Sequence, residues 1–388
     1  MKRFAVVFLS LCLAYAGTPL ALGQQTAPVI ELKSQQAGSS SLSYPYLTGL
    51  PNLFVQDKIN LQISEKGSIV LHEATLNSPL LQGAQGVKVW SEQHILSSVG
   101  VPAILSVVIF AEGKMPGGRL GYEATPMMFD LATGDEILSD ALWTSREEAQ
   151  EFFDKWVEEE SSLNLNTYID PDSALPVPID YAVLTPYGVD VHYPPNTYTL
   201  LSDRSGVFSF YFHEIKTILN TAESSLLHRL DILADSQVTL LTKEKVMEAV
   251  AGGWLPGIGQ VIGRKIDDVV AQYKELTDNE AFLSGEMYVL EDARFRDIFL
   301  TVLDGTTVEG ILARRMNLFG LVTGATTRQT CIEILAEPLM QITLDEPLAR
   351  QYAMQTGTAA LYRAGSHTLM LAFDAGDVLH TVYLALAE

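Results

Sequence analysis

The chain has 388 residues, 47% of them hydrophobic, and a formal charge of −22. That charge repels nucleic acid and anionic lipid and attracts cationic partners, while the apolar content is ample for packed cores. Only two cysteines occur, Cys12 and Cys331, which argues against a small disulfide-stapled module.

The first residues read as a cleavable secretory signal. Lys2 and Arg3 form a basic start, Phe4 to Ala16 is an apolar run, Pro19 breaks it, and Ala21-Leu22-Gly23 offers small residues where signal peptidase reads. Cleavage is expected after Gly23, with Ala16 the second choice. The run is shorter than the roughly 20 residues of a membrane span, and Leu11 before Cys12 departs from a lipid-attachment site. The expectation is an exported bacterial chain, secreted or associated with the cell envelope, with a mature charge near −24. Roughly 365 residues then remain, enough for two domains.

Residues 24–43 are Ser/Gln-rich and read as a flexible leader. From Tyr44 the pattern changes to short strands with one or two helices. Val99 to Phe110 is an apolar run rich in Val and Ile and predicts a buried strand. Pro116-Gly117-Gly118 is a turn, and Met127 to Leu131 alternates into the hairpin signal Thr133-Gly134-Asp135. Ser145 followed by Glu148 predicts a capped helix with Phe152, Phe153, Trp156 and Val157 on its apolar side. Asp180 to Leu184, the turn Pro186-Tyr187-Gly188 and Val189 to Tyr193 predict a hairpin, and Val207 to Phe212 a further strand. Residues 44–216 thus form a first domain. Residues 217–246 have helical composition and read as a bridge.

Residues 247–388 read as a second domain with an internal repeat. One copy runs from Val261-Ile262-Gly263 through a helix with Asp267-Asp268-Val269-Val270 to Gly285 and strands at 300–312. The other runs from Val322-Thr323-Gly324 through a helix with Thr330 to Leu335 to Gly357 and strands at 369–384. The turns Asp304-Gly305 and Asp374-Ala375-Gly376 mark the hairpins. The fold class expected is α+β, each domain an antiparallel sheet with packed helices, the second a pseudo-repeat of helix-plus-hairpin units.

Catalytic signatures are sparse. The seven histidines are scattered, HExxH is absent, and Gly-x-Ser-x-Gly does not occur, so neither a metal nor another cofactor is expected. Gly257 to Gly263 lacks the spacing and preceding strand of a dinucleotide loop. Asp170-Pro171-Asp172 could hold calcium or flank a sugar, or simply shape a proline-rich loop. Tyr187, His192, Tyr193 and Tyr198 cluster along the late hairpin and are the candidate partner-binding residues, able to stack on a glycan or a protein. Cys331 lies in an apolar-periodic stretch and reads as core filler.

Tyr44-Pro45-Tyr46-Leu47-Thr48-Gly49-Leu50-Pro51-Asn52 with Ile59-Asn60, Gly117-Gly118, Phe129-Asp130-Leu131-Ala132-Thr133-Gly134 and Pro186 to Tyr193 resemble an extracytoplasmic domain of Gram-positive bacteria. It is shared by lysozyme-responsive anti-sigma factors of the sigma-V system and the non-catalytic N-terminal region of peptidoglycan deacetylases. The likeness spans residues 40–216; Arg119-Leu120 stand where that family has Ala-His. Residues 247–388 more faintly resemble a secreted domain of unknown function from spore-forming bacteria. The resemblance implies a non-enzymatic binding or sensing protein whose partner is a cationic, lysozyme-like wall hydrolase or peptidoglycan. A glycan hydrolase using paired carboxylates is the alternative.

Overall fold

The computed structural model describes residues 28–76, 85–98, 101–114, 120–162, 175–192, 207–230, 242–273, 279–289 and 297–387. The secretory-signal reading of residues 1–23 lies outside them. Val29–Ala37 (β1) and Ser40–Thr48 (β2) pair antiparallel about Gly38-Ser39. Much of the stretch expected to be a flexible leader is therefore strand. Its polar composition hid the alternation that buries Leu42 and Tyr44 of β2.

Helix Leu53–Leu76 (α1) then carries the chain across to Gln85–Ser98 (β3), which runs parallel to β2 with Ser41 opposite Lys88. A parallel pair needs such a crossover. Val101–Lys114 (β4) and Leu120–Asp130 (β5) follow antiparallel, giving a five-stranded sheet in the order β1-β2-β3-β4-β5. On one face, Leu105, Val107 and Ile109 of β4 pack with Val55, Ile59 and Ile63 of α1. On the other, Ile104, Val108 and Phe110 pack with helix Arg146–Ser162 (α2) and with the small sheet of Ala182–Leu184 (β6), Gly188–His192 (β7) and Val207–Tyr211 (β8). Covered on both sides, β4 reads as an unbroken apolar run.

Polar side chains fix the joints. Asn52 caps α1, accepting from the amides of Phe54 and Val55 at 3.1 and 3.4 Å. Buried Asn60 accepts from the Leu47 amide at 2.7 Å and donates to the Leu47 carbonyl at 2.9 Å, anchoring α1 to the end of β2. Ser145 accepts from the Glu148 amide at 3.2 Å at the start of α2, and the Arg146 fork holds Asp180 at 2.5 and 2.7 Å and Asp140 at 2.6 Å.

The expected helical bridge, residues 217–246, is helical at its end, where residues 242–246 open a helix, but not over most of 217–230. Residues 217–230 are turns plus the single-turn helix Leu226–Arg229 (α3), and Ile218, Leu219, Leu226, Leu227 and Leu230 complete the first core. Asn220 and Ser225 accept from the amides of Ala222 and His228 at 3.3 and 3.2 Å. The Asn220 bond closes a turn, whereas the Ser225 bond caps the short helix that follows.

Helix Thr242–Gly252 (α4) leads into the second domain. Its first unit is helix Ile266–Tyr273 (α5) and strands Asn279–Phe282 (β9), Gly285–Val289 (β10), Ile298–Val302 (β11) and Gly310–Ala313 (β12). A short hairpin, Asn317–Leu318 (β13) and Leu321–Val322 (β14), connects it to the second. That unit is helix Arg328–Leu335 (α6), Met340–Leu344 (β15), the short helix Glu346–Gln351 (α7), Gly357–Ala364 (β16), His367–Phe373 (β17) and Leu379–Leu386 (β18). The eight strands form one antiparallel sheet, β15-β16-β17-β18-β12-β11-β10-β9. Each unit is a four-stranded meander, and the two join through their last strands, with Leu312 opposite Tyr383.

The repeat extends to individual bonds. The Gly263 amide donates to the Val308 carbonyl at 2.8 Å, and the Gly324 amide to that of Leu379 at 2.7 Å. Asp304 accepts from Thr306 and Thr307, both at 2.7 Å; Asp374 accepts from Gly376 and Val378 at 2.8 and 2.9 Å. The α+β class and the paired helix-plus-hairpin units of the second domain are therefore present.

Candidate functional site

The four aromatic candidates do not form one exposed surface. Tyr187 is half-buried and lies edge-on to Phe319 of the second domain, ring centroids 6.5 Å apart; burial raises its phenol pKa. His192 is 2% exposed, inside the first core beside Phe110. Residues 188–192 are all buried because β7 is the middle strand of its sheet and is covered on both faces. Tyr193, Tyr198 and the Asp170/Asp172 pair lie outside the described residues. Cys331 is buried, and burial pushes its thiol up to about 12.

The signal that composition missed is on α1. Val55, Ile59, Ile63 and Val70 face the sheet. Phe54, Leu61 and Ile69, spaced seven and eight residues apart, project from the opposite side and are 76%, 57% and 49% exposed. Asp57 and Glu65, both exposed, fall between them on that side. A surface helix normally carries one apolar stripe. Two stripes at helical spacing were visible in residues 53–70, and the outer one sets large apolar side chains among charges of both signs, Asp57 and Glu65 with Lys58 and Lys66.

The described surface also carries two depressions of note. One, of about 820 Å³, is the open flank of α2, where Glu147, Glu151, Asp154 and Glu158 lie with Arg146 and Lys155. The other, of about 680 Å³, lies at the seam of the two domains and is lined by His213, Glu214, Arg314, Arg315, His380 and Thr381, among others. Among the described residues no three His, Cys, Asp or Glu side chains meet in a metal-binding arrangement, and no helix is long and apolar enough to cross a membrane.

Comparison with known proteins gives likeness only at the level of remote structures. No family model matches, and no curated protein matches. A DUF4309-family protein from Bacillus subtilis, YjgB, superposes over 39% of this chain and 99% of its own, at 13% identity and a TM-score of 0.29. DUF3298-family proteins from Bacteroides fragilis and Pseudomonas aeruginosa superpose over 52% and 50% of this chain and 95% and 94% of theirs, both at 10% identity, with TM-scores of 0.34 and 0.31.

Proposed function

We propose that this chain is an exported, non-enzymatic binding protein that docks a basic protein on the outer face of α1, a lysozyme-like wall hydrolase being the sharpest candidate. The observation that carries the reading is the second apolar stripe, Phe54-Leu61-Ile69, interleaved with Asp57 and Glu65. Clustered apolar side chains exposed on a helix mark interaction surfaces, and apolar anchors inside a polar rim are the usual anatomy of such contacts. Charge complementarity selects the partner. A chain of −22 draws a cationic protein from a distance, and rim carboxylates raise the rate of encounter more than the final affinity. The likeness of residues 40–216 to lysozyme-responsive extracytoplasmic domains agrees with this choice.

Calorimetric titration of the full chain with lysozyme at low salt tests it. Saturable heat is expected at tens of micromolar protein, with association slowing as salt shortens the field to roughly 8 Å at physiological strength. Phe54→Ala and Leu61→Ala together should weaken binding by about tenfold or more, because they remove apolar anchors and leave the core-facing stripe intact. Absence of heat at low salt removes lysozyme; binding unchanged in the double variant removes α1.

A further inference from the structure

The seam between the domains holds a second site, independent of the outer face of α1. The turn after β8 places His213 and Glu214 against Arg314 and Arg315, which follow β12, and His380 of β18. Arg315 Nε pairs with Glu214 Oε1, and Glu214 Oε2 accepts from the Tyr211 amide at 2.9 Å, so this carboxylate is fully engaged. Arg314 reaches the Ala353 carbonyl at 3.0 Å and lies over the Phe299 ring, 4.6 Å from its centroid. The lining thus brings two guanidiniums and two imidazoles together, with Glu214 paired to Arg315 and Asp374 acting on His380.

Each imidazole adds a ring nitrogen that bonds to no protein group. His213 Nδ1 and His380 Nε2 are buried without a hydrogen-bond partner, although His380 Nδ1 lies 2.7 Å from Thr381 Oγ1. Two such atoms lining one cleft leave hydrogen-bonding capacity there for water or a bound group. Burial lowers both imidazole pKa values; Glu214 opposes this and Arg315 assists it at His213, while Asp374 opposes and Arg314 assists at His380. The pseudo-symmetry of the second domain shows the arrangement to be specific to one unit. Because Val308 and Leu379 make equivalent bonds to Gly263 and Gly324, the counterpart of His380 is Glu309, whose carboxylate accepts from the Leu303 amide at 3.1 Å. At this place one copy carries an acid and the other an imidazole.

We propose that this seam cleft binds a small molecule through an oxyanion group, a carboxylate or a phosphate, held by Arg314, Arg315 and the two imidazoles. Its volume of about 680 Å³ suits a metabolite-sized ligand, and an anion supplies acceptors to guanidinium and imidazole donors through charge-assisted bonds.

Histidine-labelled full chain is titrated by NMR with inorganic phosphate and, separately, with acetate. Either anion should shift the ring resonances of His213 and His380 and raise their pKa values, while exposed His228 stays unmoved; the anion that shifts them more strongly identifies the group preferred. His380→Gln and, separately, Arg314→Gln should each weaken binding by about tenfold. The proposal is overturned if neither anion moves these two rings more than His228, or if both variants bind as the wild type does.

Discussion

Asp304 shows how far one side chain can organise a turn. The backbone amides of Thr306 and Thr307 and the Thr306 hydroxyl stabilise its ionised form and hold its pKa at about 2, below the usual carboxylate range. A depressed carboxyl contributes stability above its unfolded pKa and loses it as pH falls through the folded one. The melting temperature should therefore drop between pH 4 and pH 2, and Asp304→Asn should flatten part of that drop; parallel profiles for the two proteins would contradict the assignment. Cys331 makes the opposite case. Buried, with its pKa raised to about 12, it should resist a thiol reagent at pH 8 in a Cys12→Ser background and react once denaturant unfolds the chain. Rapid stoichiometric labelling of the native protein would show that the thiol is accessible after all.

At the scale of elements, two glycines set the registers of the second sheet. A Cβ on Gly285 would sit 2.2 Å from the Val302 carbonyl oxygen, and one on Gly357 would sit 2.0 Å from that of Phe373. Backbone, unlike a flexible side chain, cannot swing away. Gly285→Ala and Gly357→Ala should each cost about 1–3 kcal/mol, read as lower denaturation midpoints, and an unchanged midpoint in either would mean the strands approach less closely. These glycines were legible in sequence because they recur at the same place in both copies of the repeat. The β4 run and the Ser145 cap were legible too, since burial on both faces and capping chemistry leave local signatures. The β1 strand was not. Glu31, Lys33 and Gln35 are exposed on an edge strand, where polar residues guard against further pairing and resemble a loop. Across 217–230 composition favoured a long helix, but only Leu226–Arg229 is helical, started by the Ser225 cap after the turn that Asn220 closes.

Across the whole molecule, the two halves are less separable than a boundary near residue 216 suggests. Tyr211 ends β8 of the first domain, yet its ring is buried in the core of the second, with its hydroxyl 3.4 Å from Met316 Sδ. Together with the Glu214–Arg315 pair, it fastens one half to the other. Tyr211→Ala should open a cavity at that joint, cost about 3–5 kcal/mol by analogy with other large aromatic truncations, and split the calorimetric melt into two transitions; a single transition with an unchanged midpoint would show that Tyr211 does not couple the halves. No sequence pattern could reveal this seam or bring His213 to His380, because those residues meet only through tertiary packing. The outer stripe of α1, by contrast, is a local pattern, and the proposed function rests on it. Hydrogen exchange of the full chain with and without lysozyme at low salt tests that claim most directly: added protection concentrated in residues 53–76 is the result predicted, and protection confined to other segments, or none at all, would contradict it.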